Sequence, residues 1–280
     1  MTLLVGSAGI SNKQLNSRIS GASSVEEILG VVDQHHEGFD SINITTAVTR
    51  IAKLARQQRR SGSSSVVTQD GPLASDERYV NLMSLVVTHL QTFKARELAY
   101  VFCGLTTLHS TACGVTAEIG FLVQLSAALG RVAPDMNAQD VAITLNAYSK
   151  LPEVTAEMPR SLRDALAEVV ERVAPDMNAQ GVSITLNAYS KLPLAEAAVE
   201  MPRSLRDALA EAAERVAPDM SAQNVANTLK AYSRLSAAAA EMPLTLRVTL
   251  TKAAARKGPD MKDMELGMTQ RACKKLGVET

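Results

Sequence analysis

Four cations, Lys150, Lys191, Arg234 and Lys275, recur in this sequence at intervals of 41, 43 and 41 residues. Each closes a near-copy of one segment: MNAQDVAITLNAYSK from Met136, MNAQGVSITLNAYSK from Met177, MSAQNVANTLKAYSR from Met220 and an eroded MKDMELGMTQRACKK from Met261. Two weaker copies upstream add Lys53 and Thr107 to the same column. Four residues earlier runs a second column of Thr49, Cys103, Asn146, Asn187, Lys230 and Arg271, mostly polar and different from copy to copy. Fixed cations beside varying polar groups suit a single-stranded nucleic acid, because charges hold phosphates while side chains of changing type meet base edges. On this reading Lys53, Lys150, Lys191, Arg234 and Lys275 contact RNA phosphates, and Asn146, Asn187, Asn227 and Lys230 supply base selectivity.

Other chemistry is not signalled. The histidines are His35, His36, His89 and His109, and the adjacent pair would point to different sides of a helix. The sequence holds no H-E-x-x-H, no G-x-S-x-G and no Walker-type glycine loop. Cys103, Cys113 and Cys273 form neither a C-x-x-C pair nor an even disulfide set, so they read as reduced, mostly buried thiols. The expectation is a protein that is not an enzyme and has no cofactor, metal or small-molecule substrate. No apolar run approaches the ~18 residues of a membrane span.

The elements that must position these columns are helices. In PRSLRDALAEVVERVAP, Leu162, Leu166, Val169 and Val173 make one apolar stripe at helical spacing, and Pro175 ends it. In NAQDVAITLNAYSKL, Asn137 is an N-cap with Asp140 three residues on, and Val141, Leu145 and Tyr148 share a face. Neither helix can bury its stripe alone, whereas stacked pairs can. The turn Pro-Asp-Met recurs at Pro134, Pro175, Pro218 and Pro259. The fold class expected is therefore all-α: an α-solenoid of about six helix-turn-helix repeats over residues 25–280, interrupted by a flexible loop at 55–78 and preceded by a polar segment at 1–24. A palette with 46% hydrophobic but 3% aromatic residues suits helices built on Ala, Leu and Val.

The columns have a plainer reading too. Cations on a solvent face serve solubility, Glu157, Glu200 and Glu241 follow the lysines, and Glu168 and Glu211 are spaced to pair with Arg172 and Arg215. Ile143 and Ile184 on the open stripe look like packing between repeats. Tyr148, Tyr189 and Tyr232 share their column with Ile51, Leu105 and Cys273, a core signature with the hydroxyls near the surface, more than a stacking platform. Lys+Arg and Asp+Glu both total 29, so no bulk charge draws a polyanion. A protein-interaction scaffold, holding a peptide or helix in the same groove, is the alternative.

The pattern MNAQ-x-V-A-N-T-L-x-A-Y-S-x-L resembles the octotricopeptide-type repeat of proteins that also carry RAP or FAST-kinase-like domains. Leu15 to Ala55 resembles the opening repeat of such proteins, and the likeness runs over roughly residues 15–280. Where that family has an aromatic after the ANTL motif, this chain has Asn146, Asn187 and Lys230. The resemblance implies an RNA-binding factor of the mitochondrial or chloroplast matrix, acting in RNA processing, mRNA stability or translation within a ribonucleoprotein context. Residues 1–25 contain no Asp or Glu but Lys13, Arg18 and six Ser, a composition like that of a transit peptide. The cytoplasm is the alternative location.

Overall fold

The computed structural model describes residues 10–61, 67–68, 71–110, 119–192 and 201–278. Its fold is all-α, with stacked helical hairpins packed in the manner of a solenoid, and it divides into two compact units, residues 1–118 and 119–280.

In the first unit, α1 (Asn12–Gly21), α3 (Ser41–Arg60) and α5 (Ala95–Ser110) pack side by side, and α2 (Val25–His35) and α4 (Glu77–His89) pack against one another. The hairpins are α2–α3 and α4–α5. The polar segment expected at 1–24 is folded from α1 onward. Ser11 caps the helix by accepting from Gln14 N at 3.3 Å, Gln14 answers by accepting from Ser11 N at 2.9 Å, and Leu15 and Ile19 are buried. A stripe of only two apolar residues in a polar decapeptide is too weak a signal to show this. Residues 1–9 lie outside the described residues.

The loop expected at 55–78 is also shorter than its composition suggests. Helix α3 runs through Arg60, and Val67–Thr68 pairs antiparallel with Gly71–Pro72. The returning chain is anchored by Asp76, the N-cap of α4, which is 2% exposed. Its carboxylate accepts from Arg78 Nε at 2.9 Å and Nη2 at 2.7 Å, and Arg78 Nη1 reaches Glu26 on α2 at 2.6 Å. The Arg78 guanidinium holds the Asp76 carboxyl down to about 2, with the Thr68 hydroxyl assisting.

The second unit contains four hairpins: α6 (Ile119–Val132) with α7 (Ala138–Tyr148), α9 (Arg160–Val173) with α10 (Ala179–Tyr189), α11 (Arg203–Val216) with α12 (Ala222–Tyr232), and α14 (Leu244–Lys257) with α15 (Asp263–Leu276). Short helices α8 (Pro152–Ala156) and α13 (Ser236–Ala240) lead into α9 and α14. First helices pack in the series α6, α9, α11, α14, and second helices in the series α7, α10, α12, α15. Each Pro-Asp-Met motif is the same device. A three-residue 3-10 turn such as Ala133–Asp135 ends the first helix, and an extended Met136 leads to an N-cap. Asn137 accepts from Gln139 N at 2.8 Å and Asp140 N at 3.0 Å, and Asp140 completes the capping box. At α10, Asn178 still accepts from Gly181 N at 2.8 Å, but glycine has no carboxylate to return the bond.

Second helices α7, α10 and α12 each have two buried faces. Val141, Leu145 and Tyr148, with Met136 beneath, are core, and Thr144 and Ala147 are also buried, small enough to let neighbouring second helices approach. The tyrosines are core as expected, at 0%, 7% and 2% exposure for Tyr148, Tyr189 and Tyr232, but their hydroxyls do not reach the surface. Among the described residues the Tyr189 and Tyr232 hydroxyls have no hydrogen-bond partner, and burial pushes both phenols above their ordinary range.

The arginine row proves to be structural. Arg172 donates to Pro134 O at 2.8 Å and Met136 O at 3.0 Å, Arg215 to Ala174 O and Met177 O, and Arg256 to Ala217 O and Pro218 O. Each guanidinium thus ties its hairpin to the 3-10 turn of the one before. The i,i+4 pairing expected with Glu168 and Glu211 is not formed. Ala174 O and Ala217 O already accept from Met177 N and Met220 N, so there the guanidinium adds a second bond, and with several donors it reaches two carbonyls of the turn at once.

Candidate nucleic-acid interface

The lysine column sits where the second helices of the second unit end. Ser149, Ser190 and Ser233 are the C-caps, and their hydroxyls donate back to Asn146 O, Asn187 O and Lys230 O at 2.8–2.9 Å. Lys150, Lys191 and Arg234 follow immediately, beside the negative end of each helix dipole. That placement alone would account for one cation per helix. It does not account for four sharing a neighbourhood.

Lys191 reports that neighbourhood. Its ammonium is pushed below the ordinary lysine range, first by partial burial and then by repulsion from Lys230, Arg234 and Lys150. Among the described residues none of these four cations has a carboxylate partner. Lys230 leans toward α15, with Nζ 3.5 Å from Met268 Sδ. Glu241, one of the acids following the column in sequence, is held by Arg206 at 2.8 Å instead. Glu200 lies outside the described residues. Like charges, with Lys150 and Lys230 half-buried and Lys191 and Arg234 exposed, are thus gathered and left unneutralised by the protein, as an anion site requires.

Of the residues read as phosphate contacts, Lys150, Lys191 and Arg234 come together. Lys53 is exposed on α3 of the first unit, and Lys275 is exposed on α15 but is not among the groups acting on Lys191. Of those read as base contacts, Asn146, Asn187 and Asn227 are half-buried on the second helices, and Lys230 joins the cation cluster. Sequence reasoning separated Lys230 from that cluster because it stands one helical turn before Arg234. A four-carbon stem spans that offset.

Toward the start of the same helices lies a cleft of about 640 Å³ between the α6–α7 and α9–α10 hairpins. Its lining includes Gln139, Ile143, Arg172, Asn178, Gln180 and Ile184. Ile143 and Ile184 are half-buried there and face the open cleft, so they are not sealed packing between repeats. Reading the columns places Gln139 on the open stripe with Ile143 but gives no role to it or to Gln180, which recurs at the same position beside Ile184.

No helix among the described residues is long and apolar enough to cross a membrane, and among them no His, Cys, Asp and Glu side chains gather into a metal-binding group. Cys113 lies outside the described residues. Fold and site together define an all-α helical-repeat protein with a cationic ridge on one row of helices. Compared with known protein families and with curated proteins, the chain matches none.

Proposed function

We propose that the second unit binds single-stranded RNA along the row of second helices, as a non-enzymatic helical-repeat factor of the octotricopeptide type. The observation carrying this reading is the cluster of Lys150, Lys191, Lys230 and Arg234 on three successive hairpins, which meet no carboxylate among the described residues and in which desolvation and then the other three cations depress the Lys191 ammonium. Phosphates would take the place of the missing counter-ions. Asn146, Asn187 and Asn227, half-buried on the same helices, would face the bases, with the glutamines of the cleft in line with them.

Four phosphate contacts on a single strand correspond to a log–log salt slope near about −3, at ~0.7 per phosphate. Filter binding of random single-stranded RNA to the full chain measures it. The combined variant Lys150→Glu, Lys191→Glu and Arg234→Glu should remove binding at moderate salt and flatten the slope; unchanged affinity would refute the assignment. The half-buried isoleucines of the cleft favour a second reading, a peptide-binding scaffold, which predicts no RNA binding even at low salt. Action in a mitochondrial or chloroplast matrix rests on the repeat resemblance and on the acid-free residues 1–25. Localisation of a fluorescent protein carrying residues 1–25 at its N-terminus tests it.

A further inference from the structure

The first unit sorts its charge by row. The packed row of α1, α3 and α5 carries eight Lys and Arg residues and one carboxylate, Glu97. Helices α2 and α4 carry four carboxylates and a single cation, Arg78, which closes on Asp76 and Glu26. A chain with 29 charged residues of each sign is thus strongly polarised in this unit. The excess is larger than on the second helices of the second unit, since α7, α10 and α12 hold only Asp140 and Lys230 within their bounds.

Most of this excess sits on α3. Helices α7, α10 and α12 end at Tyr148, Tyr189 and Tyr232, the column of Ile51, whereas α3 continues through Arg60. The added turns read AKLARQQRR, and no Asp or Glu occurs anywhere in the helix. Arg50 and Arg59 are occupied, donating to Ala22 O at 2.7 Å and to Ser110 O at 3.3 Å. Lys53, Arg56 and Arg60 are exposed, share one face at spacings of three and four residues, and have no carboxylate partner among the described residues. The negative end of the helix dipole explains cations in the last turn, Arg59 and Arg60, but its pull does not extend back to Lys53 and Arg56. On α5, Arg96 and Tyr100 hold the repeat positions of Ile42 and Thr46, and the Arg96 guanidinium lies over the half-buried Tyr100 ring, 5.8 Å from its centroid. Among the described residues Ile42 is the one large apolar side chain exposed on the α1–α3–α5 row.

We infer that the α3–α5 face of the first unit is a second surface for single-stranded nucleic acid, with Lys53, Arg56 and Arg60 on phosphates and the Arg96–Tyr100 pair stacking a base. Each guanidinium offers a planar fork that meets two phosphate oxygens at once. Bases stack on a tyrosine ring or on a guanidinium plane, and this pair presents both. A single exposed apolar side chain gives an amphipathic peptide nothing to anchor on, which favours a phosphodiester strand over an acidic helix. At ~1.5 Å per residue, Lys53 and Arg60 stand about 10 and 20 Å along the axis from the level of Thr46, the position that Tyr100 holds on α5, so one short strand reaches both. Lys53, read in sequence with the lysine column, therefore belongs with the arginines of its own helix. The surface lies within the first unit and does not depend on Lys150, Lys191 and Arg234.

The test uses the full chain carrying Lys150→Glu, Lys191→Glu and Arg234→Glu, so that the first unit is read without the second unit's cluster. Filter binding of oligouridine at low salt should still show affinity. Adding Lys53→Gln, Arg56→Gln and Arg60→Gln should weaken it at least about tenfold and lower the log–log salt slope by about 2, at ~0.7 per phosphate. Glutamine keeps the helix propensity of these exposed positions, and circular dichroism verifies the fold. In the same background Tyr100→Leu should weaken binding about fivefold or more with the slope unchanged, and Tyr100→Phe should retain it. Absence of RNA binding in the background protein overturns the inference, as does equal affinity after the glutamine or the leucine substitutions. Displacement of the RNA by polyglutamate at equal charge would reduce the surface to charge alone. Binding of phosphatidylserine vesicles through the same cations, without RNA binding, would assign it to a membrane; either result overturns the nucleic-acid strand. If the background substitutions leave the parent's affinity unchanged and the glutamines remove it, the reading of the second unit fails and this one stands.

Discussion

The two units build the same hairpin by different means. In the first, α3 and α5 meet at Gly104, where an added Cβ would lie 2.9 Å from Val48 Cγ1 and 3.4 Å from the Val48 carbonyl oxygen. In the second, the same column is Ala147, Ala188, Ala231 and Ala272, all buried, beside the buried Thr144, Thr185, Thr228 and Thr269. Charge is handled differently as well. In the first unit, Arg78 closes on Asp76 and Glu26, and Arg50 donates to Ala22 O at 2.7 Å. In the second, arginines staple successive turns while Lys150, Lys191, Lys230 and Arg234 are left facing one another. Near-identical repeats therefore separate two uses of positive charge: guanidinium groups hold the stack, and the cations at the helix ends remain available to a ligand.

The largest break of this comparison comes at the shared column. Gly104→Val should cost about 3 kcal/mol, because the β-branched Val48 and its backbone cannot yield, whereas Ala147→Gly should cost only about 1 kcal/mol through helix propensity. Urea unfolding of the full chain measures both, and equal costs would show that the two junctions pack alike.

Next comes the charge that the first unit buries. The folded Asp76 carboxyl is lowered from 3.8 to about 2, so its contribution is fully present above pH 3.8 and is lost as pH falls toward 2. The difference corresponds to about 2 kcal/mol. Asp76→Asn should flatten the acid limb of a stability–pH curve across that window, while lowering stability at neutral pH.

A smaller effect is expected at the staples. Arg172→Met keeps much of the side-chain volume but abandons Pro134 O and Met136 O, and should cost about 1–2 kcal/mol in thermal or urea unfolding. Arg172→Lys should restore only part, since one ammonium does not reproduce the planar fork. The smallest effect has the opposite sign. Ser183 is fully buried, and its hydroxyl has no partner among the described residues, where α7 and α12 carry Ala142 and Ala226. Ser183→Ala should stabilise by about 1 kcal/mol, and a loss instead would reveal a buried water or a bond that this geometry does not contain.

Most of the architecture was legible because it is periodic. Leu162, Leu166, Val169 and Val173 declare a buried stripe, Pro175 declares its end, and Asn137 with Asp140 declares the next start. The site was legible only in part. Lys150, Lys191 and Arg234 stood out as a column, but Lys230 was assigned to another, and Arg172 looked like a surface ion-pair partner of Glu168. Sequence spacing reports where a side chain leaves the helix; it does not report where four or five rotatable bonds carry its charge. Helix α1 escaped for a different reason, since two apolar residues, Leu15 and Ile19, make a stripe only when α3 is present to cover it.

The sequence by itself determined the repeat, the caps and the apolar stripes, because these depend on residues within one helical turn of each other. Tertiary structure alone decided which cations are consumed by carbonyls and carboxylates and which remain facing one another, because that depends on atoms brought together from hairpins some forty residues apart.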